Sequence, residues 1–304
     1  MRTAYILAFV ATGLFQTAGA AEVLKVDSVE KLAHHEGFSA YVPAVSAYGN
    51  VVVATQTDSD MLKALDLRDG SVKTVSADWA TEPMVSPDGT RVVYRKSSLS
   101  DGLVYKSLVS VDLTTGKSET LVAPTRQLNA GVRMDERGVA AVADGELVAK
   151  GFAKAAAPKG AVVSVNRGHL EVNVDGKSTF IDPQGRGSYL WPALSPDGTK
   201  VAYYLAGEGC FVAGFDGSDP VALGLIRAPK WYGDSIVVGM RDEDDGEQVT
   251  SSRIVAADLM GNTQTLTSED VIAMYPAVAE KAAKIFFATP AGDLYIIHLA
   301  PADR

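Results

Sequence analysis

"SPDGTRVVYR" occupies Ser86–Arg95, and "SPDGTKVAYY" occupies Ser195–Tyr204. Two nearly identical phrases so far apart in one chain mark an internal repeat. In each, Pro presets one backbone angle, Asp bonds its own backbone and Gly accepts positive φ, so Pro-Asp-Gly is a tight turn. The residues after the turn are mostly β-branched and aromatic, as strands are. The short apolar stretches "EPMV" and "WPAL" come before. Each phrase therefore reads as strand, turn, strand.

The pattern runs on. "LVSVDLTTGKSETLV" (Leu108–Val122) and "CFVAGFDGSDPVALG" (Cys210–Gly224) each add two strands around a Gly-containing turn. Four short antiparallel strands in about forty residues is the period and content of a propeller blade. Five blades can be drawn, over 37–78, 79–124, 188–224, 225–270 and from 271 onward. The stretch 125–187 reads as one expanded blade or two lean ones, so the count is six or seven. "EVLKVDSVEKLA" supplies a spare strand, and an open ring would leave a long unpaired edge. The segment from about 24 to 31 is predicted to pair beside Leu294–Leu299 and close the last blade. The expected fold class is all-β: one β-propeller domain of four-stranded antiparallel blades over 21–304.

The first twenty residues differ from the rest. Arg2 precedes an apolar run from Ala4 to Phe15, and Ala18-Gly19-Ala20 offers a small-residue cleavage site. This reads as a secretory signal peptide over 1–20. No later window is apolar for long enough to span a membrane, so no membrane span is expected. With 28 basic against 37 acidic residues the net charge is −9, and no long basic run is present. Nucleic acid is thereby disfavoured as a partner. A single cysteine, Cys210, gives an exported chain no internal disulfide and is expected as a small buried hydrophobe.

The "SPDGTxVxY" phrase, the endings "DLTTGKSETL" and "DLMGNTQTLT", and the Trp-Pro and Tyr-Pro pairs resemble the TolB-like propeller repeats. The resemblance covers most of the chain after the leader. It implies a propeller of usually six blades, and export to the periplasm or cell surface of a Gram-negative bacterium, or secretion. It is specific for fold and poor for function, because such rings serve as scaffolds, as peptidase gates and as lyases.

In a propeller the first strand of each blade lines the channel, and its opening residues sit at one mouth. Those residues are Tyr41, Glu82, Trp191, Trp231 and Tyr275. Aromatic rings around a concave mouth suit a peptide or a glycan. Asp88 and Asp197, in the SPDG turns, lie at the opposite face and read as turn residues. "MRDEDDGEQVTSSR" gathers Asp242, Asp244, Asp245 and Glu247, oxygen donors of the kind that hold Ca²⁺, although EF-hand spacing fails there. No cofactor is otherwise expected.

No G-x-S-x-G, Walker or dinucleotide motif and no zinc spacing is present. The reading is an exported, monomeric, non-catalytic scaffold that binds an envelope or extracellular protein, a peptide or a glycan at the channel mouth. The alternative is a carbohydrate-active hydrolase or lyase using Glu82 with Asp242 or Asp244 as its carboxylates.

Overall fold

The structure, a computed structural model, describes residues 22–152 and 160–300. The expected signal peptide lies outside the described residues. Strands account for nearly all the regular structure, and a single 3-10 turn at Glu280–Ala282 is the exception among the described residues.

The ring is a six-bladed β-propeller, counted by hydrogen-bonded sheets. β1 (Val26–Lys31) precedes blade I, which is β2 (Pro43–Val45), β3 (Val51–Thr55), β4 (Leu62–Asp66) and β5 (Val72–Ser76). Blade II is β6 (Ala80–Val85), β7 (Arg91–Ser100), β8 (Leu103–Asp112) and β9 (Ser118–Thr125). Blade III holds β10 (Leu128–Met134), β11 (Gly138–Ala143), β12 (Glu146–Gly151), β13 (Val162–Asn166), β14 (His169–Val174) and β15 (Lys177–Phe180). Blade IV is β16 (Tyr189–Leu194), β17 (Lys200–Leu205), β18 (Gly209–Gly214) and β19 (Val221–Gly224). Blade V is β20 (Arg227–Tyr232), β21 (Ile236–Asp244), β22 (Val249–Asp258) and β23 (Thr263–Thr265). Blade VI combines β24 (Met274–Ala279), β25 (Lys284–Ala288) and β26 (Leu294–Leu299) with β1.

The pairing of β1 with β26 is antiparallel, from Val26 opposite Leu299 to Lys31 opposite Tyr295. It covers an edge that would otherwise expose a row of free N–H and C=O groups. Gln264 of blade V latches the same segment. Its Oε1 accepts from the Val23 and Leu24 N–H groups at 2.7 and 2.8 Å, and its Nε2 donates to the Leu24 carbonyl at 2.9 Å.

Blade III explains why the blade count is ambiguous in the sequence. Its sheet runs β12-β11-β10-β13-β14-β15, so β10 is paired on both edges. The β10–β13 seam is antiparallel and rests on one pair, Ala130 opposite Val165. Two wings of three strands splay from this inner seam. Each wing packs its own neighbour, which gives seven apolar clusters between consecutive units. Val53 meets Val92 between blades I and II. Ala140 and Val142 of one wing meet Val162 of the other. Val52 meets Phe286 where blade I closes on blade VI.

The SPDG turns are held mostly by their own residues, with one bond to the next blade, the Asp197 N–H donating to Asp234 Oδ1 at 2.8 Å. Asp88 accepts from the Ser86 hydroxyl at 2.6 Å and the Thr90 N–H at 3.0 Å, while Ser86 Oγ accepts from the Arg91 N–H at 2.9 Å. Asp197 repeats the set with Ser195 and Thr199. The Ser195 hydroxyl and the Thr199 N–H hold the Asp197 carboxyl well below the usual carboxylate range. These turns follow the first strands, so the channel mouth at the start of those strands is the opposite face.

Candidate site at the channel mouth

Five of the six first strands are broken at the same place. Glu82, Trp191, Ala228 and Tyr275 have φ of 51°, 48°, 51° and 52°, and Gly131 stands at 103°. Each sits at a shift in strand register. The four non-glycine residues all precede a proline. Left-handed backbone costs a residue with a Cβ about 1–2 kcal/mol. Such bulges re-aim a side chain away from the regular alternation. Glu82, Trp191 and Tyr275 thus share one position in the repeat, at the bulge of the first strand, where the sequence predicts the channel mouth.

The aromatic residues form two edge-to-face pairs. Tyr41 and Tyr275 have ring centroids 5.2 Å apart at 69°, with hydroxyls 3.3 Å apart. Trp191 packs on Tyr204 at 5.5 Å and 64°, and stays 41% exposed. Burial, followed by the Tyr41 hydroxyl, pushes the Tyr275 phenol well above its ordinary value. Trp231 does not join them. It lies beyond the bulge of β20, is 8% exposed, and donates its Nε1–H to the Ala193 carbonyl at 2.9 Å. The Ala228 bulge, not Trp231, is the counterpart of Glu82, Trp191 and Tyr275.

The carboxylates at the mouth are engaged by guanidinium groups. Arg95 Nη1 donates to both Glu82 oxygens at 3.0 Å, and its Nη2 donates to the Leu128 carbonyl at 2.7 Å. The Arg95 side chain is 2% exposed while Glu82 is 49% exposed. Arg227 Nη1 donates to Asp242 Oδ2 at 2.7 Å. Asp242 is 3% exposed, and its Oδ1 has no partner among the described residues. The Tyr204 hydroxyl, then the Asp242 charge, hold Arg227 above its ordinary value.

Two lysines lie within the influence of Glu82. Lys106 of β8 is half-buried, and Lys230 of β20 is reached by water although protein surrounds it. Burial lowers both below the ordinary lysine value, with the Arg95 charge adding to it at Lys106 and Glu82 opposing it at each. Neither makes an ion pair among the described residues.

The acidic loop divides. Asp242 is buried against Arg227. Asp244 and Asp245 spend Oδ1 atoms on their own turn, accepting from Gly246, Glu247 and Gln248 N–H groups at 2.9–3.1 Å. Glu247 is exposed at the tip. Among the described residues no three His, Cys, Asp or Glu side chains converge as metal ligands do. Cys210 is buried, and desolvation pushes its thiol up to about 12.

Sequence reading overlooked Arg95, Lys106, Tyr204, Arg227 and Lys230. One signal was present. After the first-strand proline, blades I, II, IV and VI carry Ala44, Met84, Ala193 and Ala277, whereas blade V carries Lys230. A charge in a small, apolar repeat position is the mark of a functional departure.

No family model matches the chain, and no curated protein matches it. Solved structures do. TolB from Acinetobacter baumannii matches at 16% identity and a TM-score of 0.51, over 78% of this chain and 56% of that one. A chain of a mitotic checkpoint complex matches at 12% identity and 0.57, over 97% and 98%. An oligogalacturonate lyase in complex with manganese matches at 17% identity and 0.48, over 86% and 77%. The chain thus spans little more than half of the TolB structure. At these identities the likeness establishes fold alone: the chain has a β-propeller fold, as TolB does.

Proposed function

We propose that the protein is an exported binding scaffold that takes a protein segment, peptide or glycan at the channel mouth. The observation that carries this reading is the state of the mouth carboxylates. A general acid or base must be free to exchange a proton with its ligand. Glu82 is held bidentately by Arg95, and Asp242 is held by Arg227. The arrangement suits recognition better than hydrolysis or elimination. The aromatic pairs beside these groups supply apolar area with polar edges.

Native-state binding raises the melting temperature by mass action. A thermal-shift screen of the purified chain against peptides and oligosaccharides is expected to give a shift that Trp191→Ala and Tyr275→Phe reduce. A shift insensitive to both substitutions overturns the mouth as the site. Product formed from an oligosaccharide, abolished by Glu82→Gln, would instead establish the carbohydrate-active enzyme.

Export rests on the leader-like sequence at 1–20. N-terminal sequencing of protein recovered from periplasm and medium is expected to begin at Ala21. Among the described residues no helix is long and apolar enough to cross a membrane. A Ca²⁺-induced shift lost on changing Asp244 and Asp245 would assign the 242–247 loop as a structural metal site. Sedimentation is expected to find a monomer.

A further inference from the structure

The β7–β8 hairpin of blade II is an uninterrupted ladder. Arg95 lies opposite Leu108, Ser97 opposite Lys106, and Leu99 opposite Val104. Residues two apart on a strand share a face, and directly opposed residues share it too. Arg95, Ser97, Lys106, Leu99 and Val104 therefore lie on one face of one hairpin. Its chemistry changes along its length. At the base is the buried Arg95 guanidinium with Glu82 upon it. Next comes the half-buried ammonium of Lys106. At the tip are Leu99 and Val104, exposed together with Leu103 beside them.

The base carries more positive than negative charge. Arg95 and Lys106 share the face with one carboxylate, Glu82, in a chain whose net charge is −9. A cationic spot on an acidic protein, partly desolvated, focuses attraction for an anion. The aliphatic tip identifies the kind of molecule. Exposed Leu and Val side chains bury against apolar protein side chains, whereas a glycan is bound by flat aromatic faces and polar groups.

The geometry points to an acidic protein segment as the ligand, an extended stretch that seats a carboxylate on Lys106 and rests an apolar side chain on Leu99 and Val104. This rests on the channel-mouth reading above and names its ligand class. The lowered Lys106 value fits the assignment, since an arriving carboxylate would restore it.

The test uses the full chain and two fluorescein-labelled peptide pools, identical except that a fixed Glu in one is Gln in the other. Each pool carries Leu two residues from that position. Alginate oligomers serve as the acidic-glycan comparison. Fluorescence anisotropy is expected to show the Glu pool bound about tenfold more tightly, a preference that fades as salt rises. Lys106→Gln is expected to abolish the preference. Leu99→Ser is expected to weaken both pools alike. Both side chains are accessible, so neither substitution endangers the fold.

Equal binding of the two pools overturns the acidic assignment, as does a preference that survives Lys106→Gln. Alginate bound with both peptide pools ignored overturns the protein assignment. If binding is indifferent to the acid yet lost in Trp191→Ala, this inference fails and the mouth stands. If pools and oligosaccharides are all ignored, both readings fail.

Discussion

The hydroxyls of Tyr41 and Tyr275 stand 3.3 Å apart, joining the entry of the first blade to the bulge of the last. The contact links residues at opposite ends of the chain, and only ring closure brings them together. The Tyr275 phenol titrates above its ordinary value because its anion is disfavoured by burial and by Tyr41. A raised folded value contributes stability that is complete below the unfolded value and is lost as pH rises through the folded one. Stability should therefore fall as pH climbs past about 10, and less steeply in Tyr275→Phe. Urea midpoints on either side of that pH measure this. At neutral pH the same substitution should cost no more than about 1 kcal/mol, the worth of one neutral hydrogen bond.

Glu82 and Arg95 share one ion pair unequally. Removing the acid leaves a buried guanidinium with Lys106 nearby, whereas removing the base leaves a carboxylate already in contact with water. Glu82→Ala is expected to cost about 3–5 kcal/mol. Arg95→Met should cost about 1–3 kcal/mol, chiefly through the Leu128 carbonyl that loses its donor. Chemical denaturation of both variants checks the order, and a smaller cost for Glu82→Ala would show that water reaches Arg95.

The bulges make opposite predictions at two positions. Ala228 holds φ at 51° with no side chain that needs that geometry. Ala228→Gly relieves the strain and should stabilise by about 0.5–1 kcal/mol. At Gly131 a Cβ would meet the Val163 carbonyl oxygen at 2.5 Å and Ser164 Cα at 3.0 Å. Gly131→Ala must push β10 from β13, whose seam is a single residue pair. A loss of more than about 3 kcal/mol is expected from strain and the disrupted pair. Calorimetric melting of the two variants tests both signs.

Gln264 spends its whole amide on the segment that closes the ring. Gln264→Ala removes three hydrogen bonds and should cost about 2–3 kcal/mol. Hydrogen exchange should then rise first in β1 and β26, ahead of blades II and IV.

Cys210 should be silent in the native state. It is fully buried, and its thiol value of about 12 leaves almost no thiolate at neutral pH. A maleimide reagent is expected to label it only in denaturant. Labelling of the folded protein at a free-thiol rate would show that blade IV opens locally.

The features legible in the sequence are local ones. Ser86–Arg95 and Ser195–Tyr204 encode their turns in contiguous residues, because Asp and Ser bond backbone only a few positions away. Alternating strands between such turns leave few folds other than a ring of meanders. Tertiary structure decided everything that depends on which side chains meet between strands and between blades. Glu82 finds Arg95 on the neighbouring strand of its own blade, Tyr41 finds Tyr275 across the closure, and Lys230 feels Glu82 from another blade. Trp231 reads like Trp191 as a residue type, yet one is buried between blades and the other stands at the mouth. A left-handed residue before proline shifts the register, and a one-residue shift sends a side chain to the other face. Composition and period carry the fold, but aim is set by backbone angles and neighbours that the chain brings together only when the ring closes.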